Sequence, residues 1–243
     1  MFVFNSLKFK VKGVILVLVF ISLVFVQKHN TAVSNLNLPV PLERVDTQEK
    51  VIALTINVDW GEEYIPKILE ILNEHNSKVT FFVTGRWAQK NPELLKTMAA
   101  QGHLIANHGF SHPHPDLLSV ARNKEEITRT ETIISNLIEK KTIYYAPPYG
   151  ERGKNGLLAA EELGYTTVLW TLDTIDWKAE STPDLITKRI IEPKKRNGVQ
   201  PEKKGAIVLM HPKENTVKAL PQILTSLQNE QFTFVTLEKL ITF

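Results

Sequence analysis

The sequence predicts an α/β fold: a parallel sheet closed into a barrel with helices outside it, preceded by an N-terminal hydrophobic helix. Short β-rich runs alternate with amphipathic stretches from Val51 to the C-terminus, the pattern of parallel strands joined by helical crossovers. No glycine-rich phosphate loop follows the first β-rich run, which favours a barrel over an open nucleotide-binding sheet. The composition, 43% hydrophobic and 23% charged, is that of a globular chain and excludes disordered or collagen-like classes.

The N-terminus comes first. Gly13 to Val26 is apolar except for Ser22, and Lys8, Lys10 and Lys12 precede it. This is the layout of an export signal or anchor. The 14 residues reach about 21 Å as a helix, short of a ~30 Å bilayer core, and flanking lysines can snorkel to extend it. Ala32-Val33-Ser34 offers small residues for cleavage but lies far from the apolar run, so an uncleaved anchor fits better than a cleaved signal peptide. Lysines before the span place the body outside the membrane, an extracytoplasmic location. The reading is therefore residues 1–28 as signal peptide or membrane anchor, 29–48 as a polar, proline-containing linker, and 49–243 as the working domain.

Within that domain the expected elements run in order. Val51–Val58 is a buried strand. Tyr64–His75 carries Ile65, Ile68, Leu69 and Leu72 at helical spacing. Val79–Val83 is a strand, and Pro92–Gln101 is a helix with proline in its first turn and Gly102 after its end. Leu104–Ala106 (strand), Lys124–Glu139 (helix), Tyr144–Ala146 (strand) and Gly156–Leu163 (helix) follow. Thr166–Leu172, Ala206–Met210 and Phe232–Thr236 are further strands, with helices at Pro183–Ile191 and Val217–Glu230.

There is no cysteine, so any metal must be held by His, Asp or Glu. Four lysines and no acid in residues 1–34 leave the remainder of the chain at −1 against a whole-chain charge of +3. A near-neutral body has no electrostatic footprint for nucleic acid.

Chemistry in a parallel barrel belongs where the strands end. Asp59 directly follows the first strand. His108 and His112 follow the third, four residues apart, so both imidazoles can converge on one ion. Three of the 7 histidines lie between His108 and His114. Two imidazoles and one carboxylate are a common ligand set for Zn²⁺ and similar ions. Asp173, Asp176 and Trp177 follow a later strand, and His211 ends another. A carboxylate beside an imidazole fixes its tautomer and suits it to donate a proton. Tyr144-Tyr145-Ala146-Pro147-Pro148-Tyr149-Gly150 is a stiff turn that can present a main-chain N–H and an aromatic wall.

These motifs, in the order Thr55-Ile56-Asn57-Val58-Asp59-Trp60-Gly61, His108-Gly109-Phe110-Ser111-His112, Ala146-Pro147-Pro148-Tyr149-Gly150, Asp173-Thr174-Ile175-Asp176-Trp177 and Leu209-Met210-His211, resemble the polysaccharide deacetylases, the NodB-homology domains of carbohydrate esterase family 4. The resemblance runs from about Val51 to Thr236 and is nearest to sporulation-associated members of spore-forming bacteria. It implies a distorted (β/α) barrel, a divalent metal (usually zinc or cobalt), and removal of N-acetyl groups from GlcNAc or MurNAc units of a cell-wall polysaccharide. Position by position, Asp59, His108 and His112 match the metal ligands. His211 matches the general acid and Asp176 its carboxylate partner. Tyr149 matches the residue whose main-chain N–H holds the oxyanion, and Pro148, Trp177 and Leu209 match the acetyl-pocket walls.

Two departures stand out. The resemblance assigns the general base to the position of Asn57, and an amide cannot take a proton from water. It assigns the cation that partners this base to the position of Ala146. Losing both together is electrostatically coherent, because losing only the carboxylate would strand a buried cation. The expected function is thus a metal-dependent N-deacetylase of peptidoglycan or a chitin-like polymer, slowed by Asn57. The alternative is a catalytically silent, membrane-tethered carbohydrate-binding module on the same fold.

Overall fold

The computed structural model describes residues 38–195 and 197–243. The N-terminal apolar segment lies outside these residues. Among the described residues no helix is long and apolar enough to cross a membrane.

Eight strands form one sheet: β1 (Val51–Val58), β2 (Thr80–Val83), β3 (Leu104–Asn107), β4 (Tyr144–Tyr145), β5 (Thr166–Thr167), β6 (Leu172–Asp173), β7 (Ala206–Met210) and β8 (Thr233–Phe234). Their spatial order is β5-β4-β3-β2-β1-β7-β6, with β8 pairing the first two residues of β1. Every pairing between these strands is parallel, so all strands point their C-terminal ends the same way. The helices are α1 (Ile65–Glu74), α2 (Gly85–Lys90), α3 (Pro92–Ala100), α4 (Val120–Ile138), α5 (Lys154–Glu162), α6 (Pro183–Ile191), α7 (Glu214–Asn229) and α8 (Leu237–Leu240).

β1 is buried along its whole length, as a central strand covered on both faces must be. Its alternation divides the core. Ile52, Leu54, Ile56 and Val58 pack outward with Ile65, Ile68, Leu69 and Leu72 of α1 and with Leu220, Ile223 and Leu227 of α7. Val51 and Ala53 join the inner cluster with Phe82, Ala106, Val168 and Ile207. Each of these large aliphatic side chains contributes about 1.5–3 kcal/mol by leaving water. Because the strand period is two, Thr55, Asn57 and, just past the strand end, Asp59 share the inner side with Val51 and Ala53. Thr55 satisfies its buried hydroxyl by donating to the Val208 carbonyl at 2.9 Å.

The sheet curls into a half-barrel. The expected strand Thr166–Leu172 is divided into β5 and β6 at opposite ends of the sheet path. The gap is spanned by residues 42–44, from the segment read as the end of the linker: Leu42 bridges Val168 in parallel and Arg44 bridges Ala206 in antiparallel. Val45 N–H donates to the Gly205 carbonyl at 2.9 Å. Gly205 sits at φ +67, and a Cβ there would fall 1.9 Å from the Val45 carbonyl oxygen. Pro39 and Pro41 remove two main-chain donors, so this stretch shows no strand pattern although it closes the seam.

Candidate functional site

The C-terminal ends of β1, β3, β4, β6 and β7 meet around a cavity of about 370 Å³, within the ~300–1,000 Å³ of small-molecule sites. Its floor holds Asn57, Asp59, His108, His112 and His211, and its walls include Leu209, Trp170 and Asp173. Trp60, Tyr149 and Trp177 also line it and are 41%, 58% and 50% exposed, forming an aromatic rim. Of the residues matched to family positions, eight therefore share one cavity. Asp176 lies behind it, 2% exposed. Pro148 is buried at the start of the turn that carries Tyr149.

The His211 side of the pocket is tightly built. His211 faces Asp176 through Nδ1 and Oδ1 at 2.8 Å. The His211 main-chain N–H and the Thr216 hydroxyl both donate to Asp176 Oδ2 at 2.7 Å. Asp176 is aimed by an unusual turn: Ile175, β-branched, sits at φ +52, a strained position costing ~1–3 kcal/mol. Ile175 N–H donates to Asp173 Oδ1 at 2.7 Å and its carbonyl accepts from Ser181 at 2.6 Å. Asp173 thus shapes the turn, and burial raises its pKa. Trp60 lies nearly parallel to the His211 ring, 6.1 Å between centroids at 11°. Gly61, at φ +82, allows that approach, because a Cβ there would fall 2.2 Å from the Pro212 carbonyl oxygen.

The histidine pair sits on a loop clamped by residues that sequence reasoning missed. Glu126 of α4 accepts the Phe110 and Ser111 N–H groups at 2.9 and 2.7 Å and the Ser111 hydroxyl at 3.0 Å. Asn107 accepts Gly109 N–H at 2.9 Å and donates to the Ile127 carbonyl at 2.9 Å. In sequence Glu126 reads as one more charge on a solvated helix face; only its burial, at 8% exposed, reveals the clamp. His108 donates from Nδ1 to the Ala146 carbonyl at 2.7 Å, which leaves the Nε2 lone pair free. Burial, reinforced by the neighbouring His112, pushes its pKa down to about 3, so it is neutral. Burial also lowers the pKa of His112. The two rings meet edge to face, 5.0 Å apart.

Asp59 departs from the expected arrangement. Arg86 Nε donates to its Oδ1 at 2.7 Å, and a second guanidinium nitrogen of Arg86 binds its Oδ2. The Thr84 hydroxyl donates to Oδ1 at 2.8 Å. Burial pushes the Asp59 pKa up, but the Arg86 and Thr84 bonds outweigh it and hold it below the ordinary carboxylate range. Neutral imidazoles with free lone pairs suit a borderline divalent ion. The carboxylate does not, because both its oxygens are engaged by a guanidinium. Among the described residues no three His, Asp or Glu side chains are grouped to hold a metal ion. The residues expected to form a three-ligand site therefore do not fit one as they stand.

Comparison with known proteins shows the family and the fold. A profile of the family described as Polysaccharide deacetylase matches residues 44–168. The chain is 34% identical over 203 residues to Bacillus subtilis YlxY, an uncharacterized protein, covering 84% of this chain and 61% of the relative. It is 30% identical over 198 residues to the B. subtilis peptidoglycan-N-acetylmuramic acid deacetylase PdaA, covering 81% of this chain and 73% of that one. It thus spans about three-fifths to three-quarters of these relatives' lengths. Among solved structures, a carbohydrate esterase family 4 pseudoenzyme from Bacillus anthracis superposes with TM-score 0.75 at 34% identity, covering 84% of this chain and 69% of that one. A mutant of that pseudoenzyme with restored enzymatic activity matches equally well, with TM-score 0.75.

Proposed function

The chain belongs to the polysaccharide deacetylase family, whose deacetylases are hydrolases of C–N bonds, and from that premise we propose that its pocket takes an N-acetylated amino-sugar unit of peptidoglycan and turns it over slowly at most. One contrast carries this reading. The donor half of the reaction is built, with His211 fixed by a buried, triply bonded Asp176. The water-activating half is not, with an amide at Asn57 and a methyl at Ala146.

Amide hydrolysis must add water to the carbonyl and give a proton to the departing nitrogen. His211 is the donor for that nitrogen, and Asp176 holds its ring in the donating orientation. The rim of Trp60, Tyr149 and Trp177 suits the apolar face of a sugar ring, and Leu209 with Trp177 walls the acetyl methyl. Tyr149, at φ +60 on the pocket rim, is the residue assigned to offer a main-chain N–H to developing oxyanion charge. A missing general base costs typically ~10²–10⁴-fold in rate. Deacetylases of the family are generally divalent-metal dependent. Zn²⁺ or Co²⁺ would find His108 and His112 here but not a free Asp59. Peptidoglycan as substrate and the lysine-flanked apolar segment support an extracytoplasmic body tethered to the membrane, with residues 1–28 as the anchor.

A second reading, a silent carbohydrate-binding module, is favoured by the Arg86–Asp59 pair and by the similarity to the B. anthracis pseudoenzyme. One experiment separates the two. Glycan binding and acetate release are measured on peptidoglycan fragments and N-acetylglucosamine oligomers, with and without added Zn²⁺ or Co²⁺. Binding with slow release abolished by His211→Ala supports the slow enzyme. Binding without any release supports the silent module. No binding to any acetylated glycan overturns both.

A further inference from the structure

Asp59 is held in a manner suited to a planar organic cation. Arg86 meets it with two nitrogens on two oxygens, the fork geometry that distinguishes guanidinium from a point charge. The contact is built in by the chain. Thr84 caps α2, accepting Trp87 N–H at 3.3 Å while donating to Asp59. Gly85 and Arg86 donate main-chain N–H to the Gly109 and Phe110 carbonyls, each at 3.0 Å. A Cβ at Gly85 would fall 2.6 Å from the Phe110 ring and 2.7 Å from the Thr130 hydroxyl. The start of α2 is therefore docked on the histidine loop, and Arg86 reaches in from the rim. Its side chain is 45% exposed against 9% for Asp59. Glu126, a second carboxylate near enough to act on Arg86, already spends both oxygens on the Phe110–Ser111 loop.

We propose that Arg86 is the resident cation of this site: its guanidinium neutralises Asp59 in place of the family's divalent ion, which binds through all three ligand positions only by displacing Arg86. The proposal rests on the assignment of Asp59, His108 and His112 as those positions, and not on turnover. With Arg86 in place, Asp59 is already paired and a divalent ion meets only two imidazoles.

The test is direct metal binding to the full chain, by calorimetric titration with Zn²⁺ and by the visible absorption of bound Co²⁺. The chain as it stands is compared with Arg86→Ala, Arg86→Lys, Asp59→Asn and the Arg86→Ala/Asp59→Asn double variant. Arg86→Ala should tighten both ions at least about 10-fold, and the double variant should lose that gain. Asp59→Asn alone should change affinity less than about threefold, because Asp59 is not free to bind. Arg86→Lys, which keeps the charge without the fork, should fall between. Melting curves identify any variant that fails to fold. Equal affinity in the unsubstituted chain and Arg86→Ala overturns the proposal, as does a tenfold loss from Asp59→Asn alone. Glycan binding is measured in parallel: its absence alongside a tenfold metal gain would sink the functional reading and leave this one standing.

Discussion

At Asp176 one buried carboxylate takes the His211 main-chain N–H, faces its ring nitrogen and accepts the Thr216 hydroxyl. Asp176→Asn should therefore do more than remove a charge. An amide has one acceptor oxygen and brings two donors toward groups that also donate, leaving buried donors unpaired at about 1–3 kcal/mol. Thermal denaturation should show that loss, and kcat for acetate release should fall by ~10²–10⁴ with KM little changed, since only proton donation is disturbed. An unchanged kcat would mean that His211 is not the donor. At this scale the sequence was informative. Asn57 and Asp59 could be put on one side of β1 by alternation, and His108 and His211 could be put at strand ends. Arg86 could not be found, because its role arises where α2 docks on the histidine loop, 27 residues from its partner.

Among the elements, α4 and the loop after β3 act as one unit. Glu126→Gln keeps the size of the side chain but offers one acceptor where the loop presents two N–H groups and a hydroxyl. The loop should loosen, visible as faster amide exchange at Phe110 and Ser111 and as weaker metal and glycan binding. Unchanged exchange at both amides would remove Glu126 from the clamp. A second element-level prediction concerns pH. His103, between α3 and β3, accepts Val79 N–H at Nδ1, 3.2 Å. Burial, with Lys78 adding to it, pushes its pKa down to about 4. An unfolded imidazole titrates near ~6.5, so between those values the unfolded chain binds more protons. Stability then falls as pH drops from about 6.5 to about 4, by about 3 kcal/mol for this group. Denaturant midpoints at pH 7 and pH 4.5 should shift less in His103→Gln than in the unsubstituted chain; equal shifts would contradict the assignment. The element boundaries that sequence missed have physical causes. Thr166 to Leu172 reads as one β-rich run, yet the curl of the sheet splits it. α2 has six residues, too few to display a helical period. α7 begins at Glu214, three residues before its apolar pattern does, and carries Pro221 inside it.

The described residues form a curled parallel sheet whose strand ends gather the side chains to which the proposed function assigns proton donation. Parallel strands make that legible from sequence, since every strand end falls on the same face and the motifs need only be read in order. The seam was not legible, because isolated bridges at Leu42 and Arg44 leave no periodic trace. Nor was the guanidinium at Asp59, which changes what the motif set can hold. The central claim is that proton donation is intact and water activation is missing. Its most direct measurement is acetate release at saturating N-acetylglucosamine oligomer and saturating Zn²⁺, comparing the Arg86→Ala chain with Arg86→Ala/Asn57→Asp/Ala146→Arg. Restoring the carboxylate and its cation should raise turnover about 100-fold or more, while Asn57→Asp without Ala146→Arg should raise it far less. Turnover in the Arg86→Ala chain equal to that of the restored variant would contradict the account.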